Sequence, residues 1–225
     1  MLFEMAMFEY FCEILRNRCR MTLPGADAQN KMVPAVRIKQ MEERIKSGIT
    51  PKDSSILIPL YKHHQKVTTV LIHRTHSNGV HSRQIAFPGG KMDVRDKDHY
   101  ETAVREAKEE LGIYPDNVEY IGKLTDLYVP PSNFIIHPFI GFLREKQDFF
   151  RDEKEVESFF ETPLVNFCDP GKKKVHPFKM VDDTIIETPC YDIDGHFVWG
   201  ATAMIISEFA EILHEIKADY PELKF

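Results

Sequence analysis

Two neighbouring stretches decide the fold: Gly89-Gly90-Lys91-Met92-Asp93-Val94-Arg95-Asp96 and, eight residues later, Arg105-Glu106-Ala107-Lys108-Glu109-Glu110-Leu111-Gly112-Ile113. A helix advances about 100° per residue, which places Glu106, Glu109 and Glu110 on one arc of the second stretch. An adjacent stripe of this helix is apolar and can face a core; it consists of Ala103, Val104, Ala107 and Leu111. The pattern predicts an amphipathic, acidic helix beside a glycine turn.

The three clustered glutamates indicate a bound cation. Like charges three or four residues apart on a helix repel one another, so the cluster is unfavourable unless something cationic lies over it. Carboxylate oxygens without competing Cys or His ligands suit Mg²⁺ or Mn²⁺, and Mg²⁺ commonly works together with substrate phosphates. The alternative is a solvated acidic helix face.

Length and charge narrow the class of protein. The 225 residues can bury one good core, as a single large domain or as a domain with an appendage. The net charge of −6 and the lack of a basic stripe argue against nucleic-acid binding. An acidic protein that acts on phosphates needs a metal ion between the two, which agrees with the acidic helix.

The cysteines and the N-terminal segment indicate the cellular location of the protein. Four scattered cysteines without a CxxC pair predict reduced thiols in a cytoplasmic protein. Glutamates interrupt the apolar N-terminus and no basic segment precedes it, so neither a signal peptide nor a membrane span is predicted. Residues 3–18 are expected to form an amphipathic helix that packs on its own domain or on a partner subunit, which allows a homodimer. Membrane contact is the third possibility.

The remaining patterns predict an α/β fold with a mixed sheet packed between helices. Strands are expected at residues 54–61, 68–73, 84–87, 120–127 and 134–143, with a final hairpin of 185–186 and 196–199 around Asp194-Gly195. Helices are expected at residues 35–47, 99–111, 155–160 and 201–216, and residues 21–32 are interpreted as a linker. Asp98 with Glu101 predicts an N-cap with a capping box for the acidic helix, and Gly112 predicts its end.

The two opening stretches resemble the Nudix box, G-x5-E-x7-R-E-U-x-E-E-x-G-U, where U is aliphatic. Five residues after Gly90 comes Asp96 in place of the family's Glu, and eight residues instead of seven precede Arg105. The second half matches at every fixed position, with Ala107 in the first U place. The resemblance implies an α/β/α sandwich, with residues 51–225 as a Nudix hydrolase domain. It does not extend to residues 1–50, which the local patterns predict to be an N-terminal helical extension and linker.

The chain is most similar to the coenzyme A diphosphatase branch, in which the Asp and the extra residue recur. Arg74, His81, Asp93 and the run Phe87-Pro88-Gly89-Gly90 match the signature of that branch. Its Leu-Arg pair and its later Gly are replaced, by Asn78-Gly79 and Arg83 respectively. Segments around residues 129–141 and 199–203 are also similar to this branch. The resemblance implies metal-dependent cleavage of coenzyme A or acyl-coenzyme A to 4′-phosphopantetheine and an adenosine bisphosphate.

The resemblance also implies roles for individual residues. Glu106, Glu109 and Glu110 would bind Mg²⁺ or Mn²⁺, with the Gly89 carbonyl as a further ligand. Arg105 would pair with the carboxylate of the first half of the box, here Asp96. Asp93 would be either a group that supports the site or a turn residue.

The general base and the substrate contacts are less sharply defined. The base is either a glutamate of the box or a carboxylate on a later loop, for which Glu155 is the candidate; the alternative for Glu155 is an ordinary surface residue. Arg74 would bind phosphate or pair with an acidic neighbour. His81 would contact substrate or be a loop histidine, and Arg83 would bind or obstruct a phosphate.

Two other functions are compatible with the sequence. One is hydrolysis of another nucleoside diphosphate linked to a further group, such as ADP-ribose. The other is a catalytically silent nucleotide sensor, but its expected marks, eroded carboxylates and a fused DNA-binding segment, are absent from the sequence. The expected partner is therefore a small nucleoside diphosphate, with neither nucleic acid nor membrane.

Overall fold

The computed structural model of this chain describes residues 2–34, 50–75, 84–179, 183–223 and 225. The predicted helix over residues 35–47 lies outside the described residues. The helices are α1 (Leu2–Arg18), α2 (Gly25–Gln29), α3 (His99–Leu111), α4 (Val165–Cys168) and α5 (Gly200–Asp219). Short 3₁₀ turns occupy Asn30–Met32, Pro115–Asn117 and Pro170–Lys172.

The strands form a mixed sheet and a smaller antiparallel one. They are β1 (Lys52–His63), β2 (Lys66–Arg74), β3 (Ile85–Ala86), β4 (Gly89–Lys91), β5 (Val118–Lys123), β6 (Leu127–Val129), β7 (Phe134–Leu143), β8 (Val156–Pro163), β9 (Lys173–Lys179), β10 (Ile185–Ile193) and β11 (His196–Trp199). The main sheet has the order β3-β2-β1-β7-β5, with β4 on β1, β6 on β7 and β8 on β2. β1 and β7 are parallel and the other pairs are antiparallel. The predicted mixed sheet is confirmed.

The main sheet is covered on both faces because β1 carries apolar residues in both directions. Side chains alternate between the faces of a strand. Leu57 and Tyr61 pack with Ala103 and Ala107 of α3 in one core. Ile58 and Leu60 belong to the other core, which also contains residues of α1 and α5. The result is the predicted sandwich of a sheet between helices.

Helix α3 begins and ends as the sequence predicts. Asp98 accepts a hydrogen bond from the Glu101 amide at 2.8 Å, and Glu101 in turn accepts one from the Lys97 amide at 2.6 Å. Gly112 ends the helix in the left-handed conformation, with φ 69°. These caps satisfy amide and carbonyl groups that a helix leaves without partners at its ends.

The N-terminal helix packs on its own domain. Phe11 and Leu15 of α1 are buried in the core that contains α5. Arg16 forms an ion pair with Glu119 of β5 at 2.5 Å. Of the alternatives for this helix, packing on its own domain is therefore observed. A domain boundary at residue 50 stays a prediction.

The predicted short helix at residues 155–160 is wrong, because residues 156–160 belong to strand β8. β8 pairs antiparallel with β2, and Phe159 and Phe160 lie opposite Ile72 and Leu71. Aromatic residues fit a half-buried pleated surface. The pairing of β8 with β2 is a long-range contact, and it cannot be inferred from helix-forming residues within the segment such as Glu157.

Two further segments differ from the sequence prediction. The single strand predicted at residues 120–127 is divided into β5 and β6, with a register shift between Tyr120 and Gly122. In the gap between β5 and β6, the Leu124 amide donates to the Pro138 carbonyl at 2.9 Å, and Pro138 has no amide hydrogen to donate in return. Residues 21–32, interpreted as a linker, contain α2 and a 3₁₀ turn. This segment also packs on the domain, because Gln29 is buried and donates a hydrogen bond to Glu208 at 2.9 Å.

The C-terminal part extends the prediction. The hairpin of β10 and β11 is confirmed, and β9, which was not predicted, pairs with β10 to complete the smaller sheet. The predicted C-terminal helix is α5. Among the described residues, no helix is both long and apolar enough to cross a membrane.

Candidate active site

Three carboxylates from two segments meet beside the glycine turn. Glu106 and Glu110 extend from α3, and Glu155 lies just before β8. One oxygen of each lies within 4.8 Å of the others. Glu155 is held there because its carbonyl accepts from the Thr75 amide at 2.9 Å, and the loop before it contacts the end of α3 through an Asp152 amide to Glu110 carbonyl bond of 3.1 Å.

Glu110 is the most deeply buried of the three, with 1% of its surface exposed. Its Oε1 accepts from Arg74 Nη1 at 3.0 Å, and its Oε2 accepts from the Gly89 amide at 2.8 Å. Burial raises the pKa of Glu110 to about 7, and the contacts with Arg74 and Gly89 offset only part of that effect. A nearby cation would stabilise the charged form of this buried carboxylate.

Glu106 lies directly against the glycine turn. A Cβ atom at Gly90 would overlap the Glu106 carboxylate, so only glycine allows this approach. Burial raises the pKa of Glu106, while Arg105, which donates to its Oε1 at 2.8 Å, lowers it in part. The sequence indicated a turn at this position, but it did not indicate the contact.

Arg105 makes the pairing that the resemblance implied. Its Nε and Nη2 donate to the two oxygens of Asp96 at 2.8 and 2.9 Å. Thr102 donates to the same carboxylate at 2.9 Å. The hydrogen bonds from Arg105 hold the pKa of Asp96 well below its usual range. The shorter Asp and the extra residue are therefore compatible with a bidentate pair.

Glu109 is placed differently from the other box glutamates. Its side chain is 55% exposed, and its Oε2 accepts from Arg105 Nη1 at 3.0 Å. It is not part of the group formed by Glu106, Glu110 and Glu155 within the described residues. Its role as a metal ligand stays a prediction.

Gly89 is required by close packing. A Cβ atom there would overlap the Ser55 carbonyl and the backbone of Ile56 on β1. The Gly89 carbonyl, predicted as a metal ligand, accepts from Arg74 Nη1 at 3.3 Å. It therefore faces the same side of the site as Glu110.

The predicted substrate-binding residues are only partly described. Arg74 lines a cleft beside the glycine turn and pairs with Glu110, the acidic-neighbour alternative. His81, Arg83 and the pair Asn78-Gly79 lie outside the described residues. Asp93 accepts from Arg95 and caps the turn, so the turn-residue alternative describes what is observed.

The cleft has a volume of about 500 Å³ and combines a polar end with apolar walls. Volumes of this size are usual for small-molecule sites. Sequence reasoning assigned no site role to most of its walls, because they come from distant segments; they include Ile56, Ala86, Phe134, Ile136, Thr202 and Ile205. Only the tertiary structure brings these residues to the glycine turn.

The donor set fits a hard divalent cation. The three carboxylates carry only oxygen donors, which suit Mg²⁺ or Mn²⁺. A cation would offset the desolvation of Glu106 and Glu110, whose pKa values burial raises. The residues present therefore fit the divalent metal that the acidic helix indicated.

Comparison with known proteins agrees with this geometry. The NUDIX domain family matches residues 51–182. The chain is 30% identical over 203 residues to an uncharacterized Nudix hydrolase, NudL, from Pectobacterium atrosepticum, covering 83% of this chain and 95% of that protein. It is 33% identical to the NudL of Citrobacter koseri over 166 residues, covering 71% and 81% respectively.

Among solved structures, an Ap4A hydrolase from C. elegans in a binary complex has a TM-score of 0.49 and 14% identity, covering 73% of this chain and 98% of that chain. The domain match and the two NudL relatives establish the family. The chain belongs to the Nudix family of hydrolases, which act on nucleoside diphosphate derivatives and generally use divalent metal ions.

Proposed function

We propose that this Nudix hydrolase cleaves the diphosphate bond of coenzyme A or acyl-coenzyme A, with Mg²⁺ or Mn²⁺ as cofactor. The products are 4′-phosphopantetheine and adenosine 3′,5′-bisphosphate. The proposal rests on the similarity of Arg74, Asp93 and the Phe87-Pro88-Gly89-Gly90 run to the coenzyme A diphosphatase signature.

One observation carries the proposal: the carboxylates border a cleft whose walls suit a long substrate. Gly89, Gly90 and Arg74 line the cleft and also contact Glu106 or Glu110. The opposite walls are largely apolar. A diphosphate at the polar end would leave the apolar walls to the rest of the substrate.

The chain's own residues orient the reacting groups. A bound divalent ion would supply charge neutralisation for the phosphate oxygens and activation of water. Glu106 and Glu110 would hold it, with Glu109 and the Gly89 carbonyl as further ligands. Arg74 and Arg105 keep the carboxylates in place through the hydrogen bonds described above.

Glu155 is the proposed general base. In the hydrolysis, the oxygen of water forms a bond to one phosphorus, the bridging P–O bond breaks, and the proton lost by water passes to a carboxylate. Glu155 suits this role since it is exposed to solvent while lying within the cluster. The buried Glu110 is less accessible to water.

Arg74, His81 and Arg83 are proposed to contact the substrate phosphates. Arg74 lies at the polar end of the cleft, and a guanidinium binds phosphate oxygens strongly. The proposal for His81 depends on its match to the branch signature, and that for Arg83 on its added charge near the glycine turn.

The test is product analysis by mass with coenzyme A, acetyl-coenzyme A, ADP-ribose and a dinucleoside polyphosphate. Wild type, Glu110→Gln and Glu155→Gln are compared in Mg²⁺ or Mn²⁺. Glu157→Gln is the matched control, because Glu157 is exposed and lies two residues from Glu155. Loss of a general base typically costs about 10²- to 10⁴-fold in rate.

Each result has a clear meaning. Release of 4′-phosphopantetheine by wild type and Glu157→Gln, but not by Glu110→Gln, supports the substrate and the site. Cleavage of ADP-ribose without cleavage of coenzyme A rejects the proposed substrate. Nucleotide binding without turnover of any compound favours a sensor over an enzyme.

Two further proposals concern the cellular location and the oligomeric state of the enzyme. A cytoplasmic location rests on the four cysteines, all of which are unpaired. The apolar face of α1 is buried against its own domain, so a homodimer would have to form through another surface. Light scattering of the full chain tests the dimer, and a monomeric mass over a range of concentrations rejects it.

A further inference from the structure

A second cluster of metal-binding side chains lies at the opposite end of α3 from Glu110. It consists of His99 at the first position of α3, His137 on β7 and Asp53 on β1. One donor atom of each lies within 4.8 Å of the others. β1 and β7 are parallel neighbours, so Asp53 and His137 are brought together by the register of the sheet.

His137 lies between two carboxylates. Its Nδ1 is 2.8 Å from Asp126 Oδ1, and its Nε2 is 3.0 Å from Asp53 Oδ1. A neutral imidazole has one N–H and one lone pair, so it can donate to only one of them. If Nδ1 donates to Asp126, the lone pair of Nε2 faces a carboxylate oxygen, and a cation beside these two acceptors would relieve their repulsion.

His99 supplies the independent observation. Its ring stacks on that of His137, with centroids 3.7 Å apart and planes inclined by 19°. Its Nδ1 is buried and has no hydrogen-bond partner among the described residues. A buried nitrogen without a partner is costly. A metal ion bound through this nitrogen would give it a partner.

We propose that Asp53, His99 and His137 form a second metal site, specific for a first-row divalent transition metal such as Zn²⁺. Two histidines and one carboxylate with an open position are a common zinc donor set. Three atoms within 4.8 Å of one another lie within about 2.8 Å of a common centre, and zinc bonds are about 2.0–2.2 Å long. The distances therefore suit zinc, and binding requires the His99 ring to rotate out of its stack on His137 so that its lone pair points to the ion.

The surroundings support a cation at this position. Asp126 lies within hydrogen-bond distance of His137 Nδ1, and a zinc-bound histidine usually donates its other ring nitrogen to such a carboxylate. Lys123 forms an ion pair with Asp126 at 2.7 Å. With both histidines neutral, the carboxylates of Asp53 and Asp126 exceed the charge of Lys123 by one. Asp53 has 47% of its side chain exposed, which gives the ion access from solvent.

The second site differs from the active site in chemistry and in place. Imidazole nitrogens favour zinc and similar ions, whereas the carboxylates of Glu106, Glu110 and Glu155 favour Mg²⁺ or Mn²⁺. His99 precedes Glu106 by seven residues, which is about 10 Å along a helix. A metal at the second site would join the start of α3 to β1 and β7. It would thereby stabilise the helix that carries the active-site glutamates.

The test measures zinc binding to the full-length chain carrying Glu106→Gln and Glu110→Gln, so that the active-site carboxylates contribute little. Zinc is titrated by calorimetry in excess Mg²⁺, and bound zinc is counted by mass spectrometry after dialysis against a zinc buffer. Asp53→Asn and His99→Asn are introduced into this background. His64→Asn is the matched control, since His64 lies in a turn with φ 46°, which Asn tolerates.

One zinc per chain is expected in the background protein and in His64→Asn, with a rise in melting temperature. Asp53→Asn and His99→Asn should each bind at least tenfold more weakly and lose the rise in melting temperature. Circular dichroism checks that both variants fold. Equal zinc affinity in all four proteins, or no zinc bound to the background protein, would overturn the proposal.

Discussion

Arg74 Nη1 lies 3.0 Å from Glu110 Oε1, so a guanidinium from β2 holds the most buried carboxylate of α3. The same nitrogen lies 3.3 Å from the Gly89 carbonyl, while the Gly89 amide donates to the other Glu110 oxygen. Three distant segments are thus joined around one carboxylate. Because burial still raises the pKa of Glu110 to about 7, one arginine does not fully compensate its desolvation.

Glu110→Gln should remove the loss of stability that the metal-free protein undergoes as pH rises from 4.5 to 7. The native pKa of about 7 exceeds the ordinary value of 4.5, so the native state holds a proton that the unfolded state has lost between these values. Stability contributed by this group therefore falls as pH rises from 4.5 to 7. The full cost above pH 7 is about 3 kcal/mol as an upper limit.

Urea unfolding of EDTA-treated protein at pH 5 and pH 8 measures this difference. The stability of wild type relative to Glu110→Gln should be lower at pH 8 than at pH 5. Glu109→Gln is the control, since its exposed carboxylate is not desolvated. A stability difference between wild type and Glu110→Gln that is the same at pH 5 and pH 8 would contradict the prediction.

Asp96→Asn should destabilise the fold and lower activity. The substitution leaves Arg105 without its bidentate charged partner, and a half-buried charge without its partner costs about 2 kcal/mol. Arg105 also orients Glu106. Asp93→Asn is the control, because Asp93 pairs with Arg95 in solvent. Thermal unfolding and turnover of both variants test this, and equal stability of the two would refute it.

Gly90→Ala and Gly89→Ala should fail in different ways. The methyl group at Gly90 meets the Glu106 side chain, which can move, so the protein should fold but lose metal-dependent activity. The methyl group at Gly89 meets the backbone of β1, which cannot yield, so folding itself should suffer. Circular dichroism separates the two outcomes. An active Gly90→Ala variant would show that the contact with Glu106 is dispensable.

Leu15→Ala should show that α1 is an integral part of the fold. Leu15 is completely buried, and removing such a side chain costs about 2–5 kcal/mol. Glu13→Ala, on the exposed face of the same helix, should change stability little. Chemical denaturation compares the two. Equal midpoints would mean that α1 contributes no packing energy.

Local patterns were enough for the acidic helix and its position in the fold. Asp98, Glu101 and Gly112 predicted both ends of α3, because capping depends on neighbours in the sequence. The resemblance to the Nudix box implied the ion pair between Asp96 and Arg105, and the structure contains it. Strand β8 was mistaken for a helix because its pairing with β2 is not encoded within the segment itself.

The sequence alone determined the Nudix family, the alternation that produces a covered sheet, and the glutamates of α3. The family is recognisable from its resemblance to the Nudix box, and the other two features repeat with the period of a strand or a helix, so none of them requires knowledge of distant contacts. Only the tertiary structure decided that Glu155 joins Glu106 and Glu110, that Glu109 faces solvent, and that His99 stacks on His137. Those relationships depend on strand pairing and on packing of α3 against the sheet, which join residues far apart in the chain.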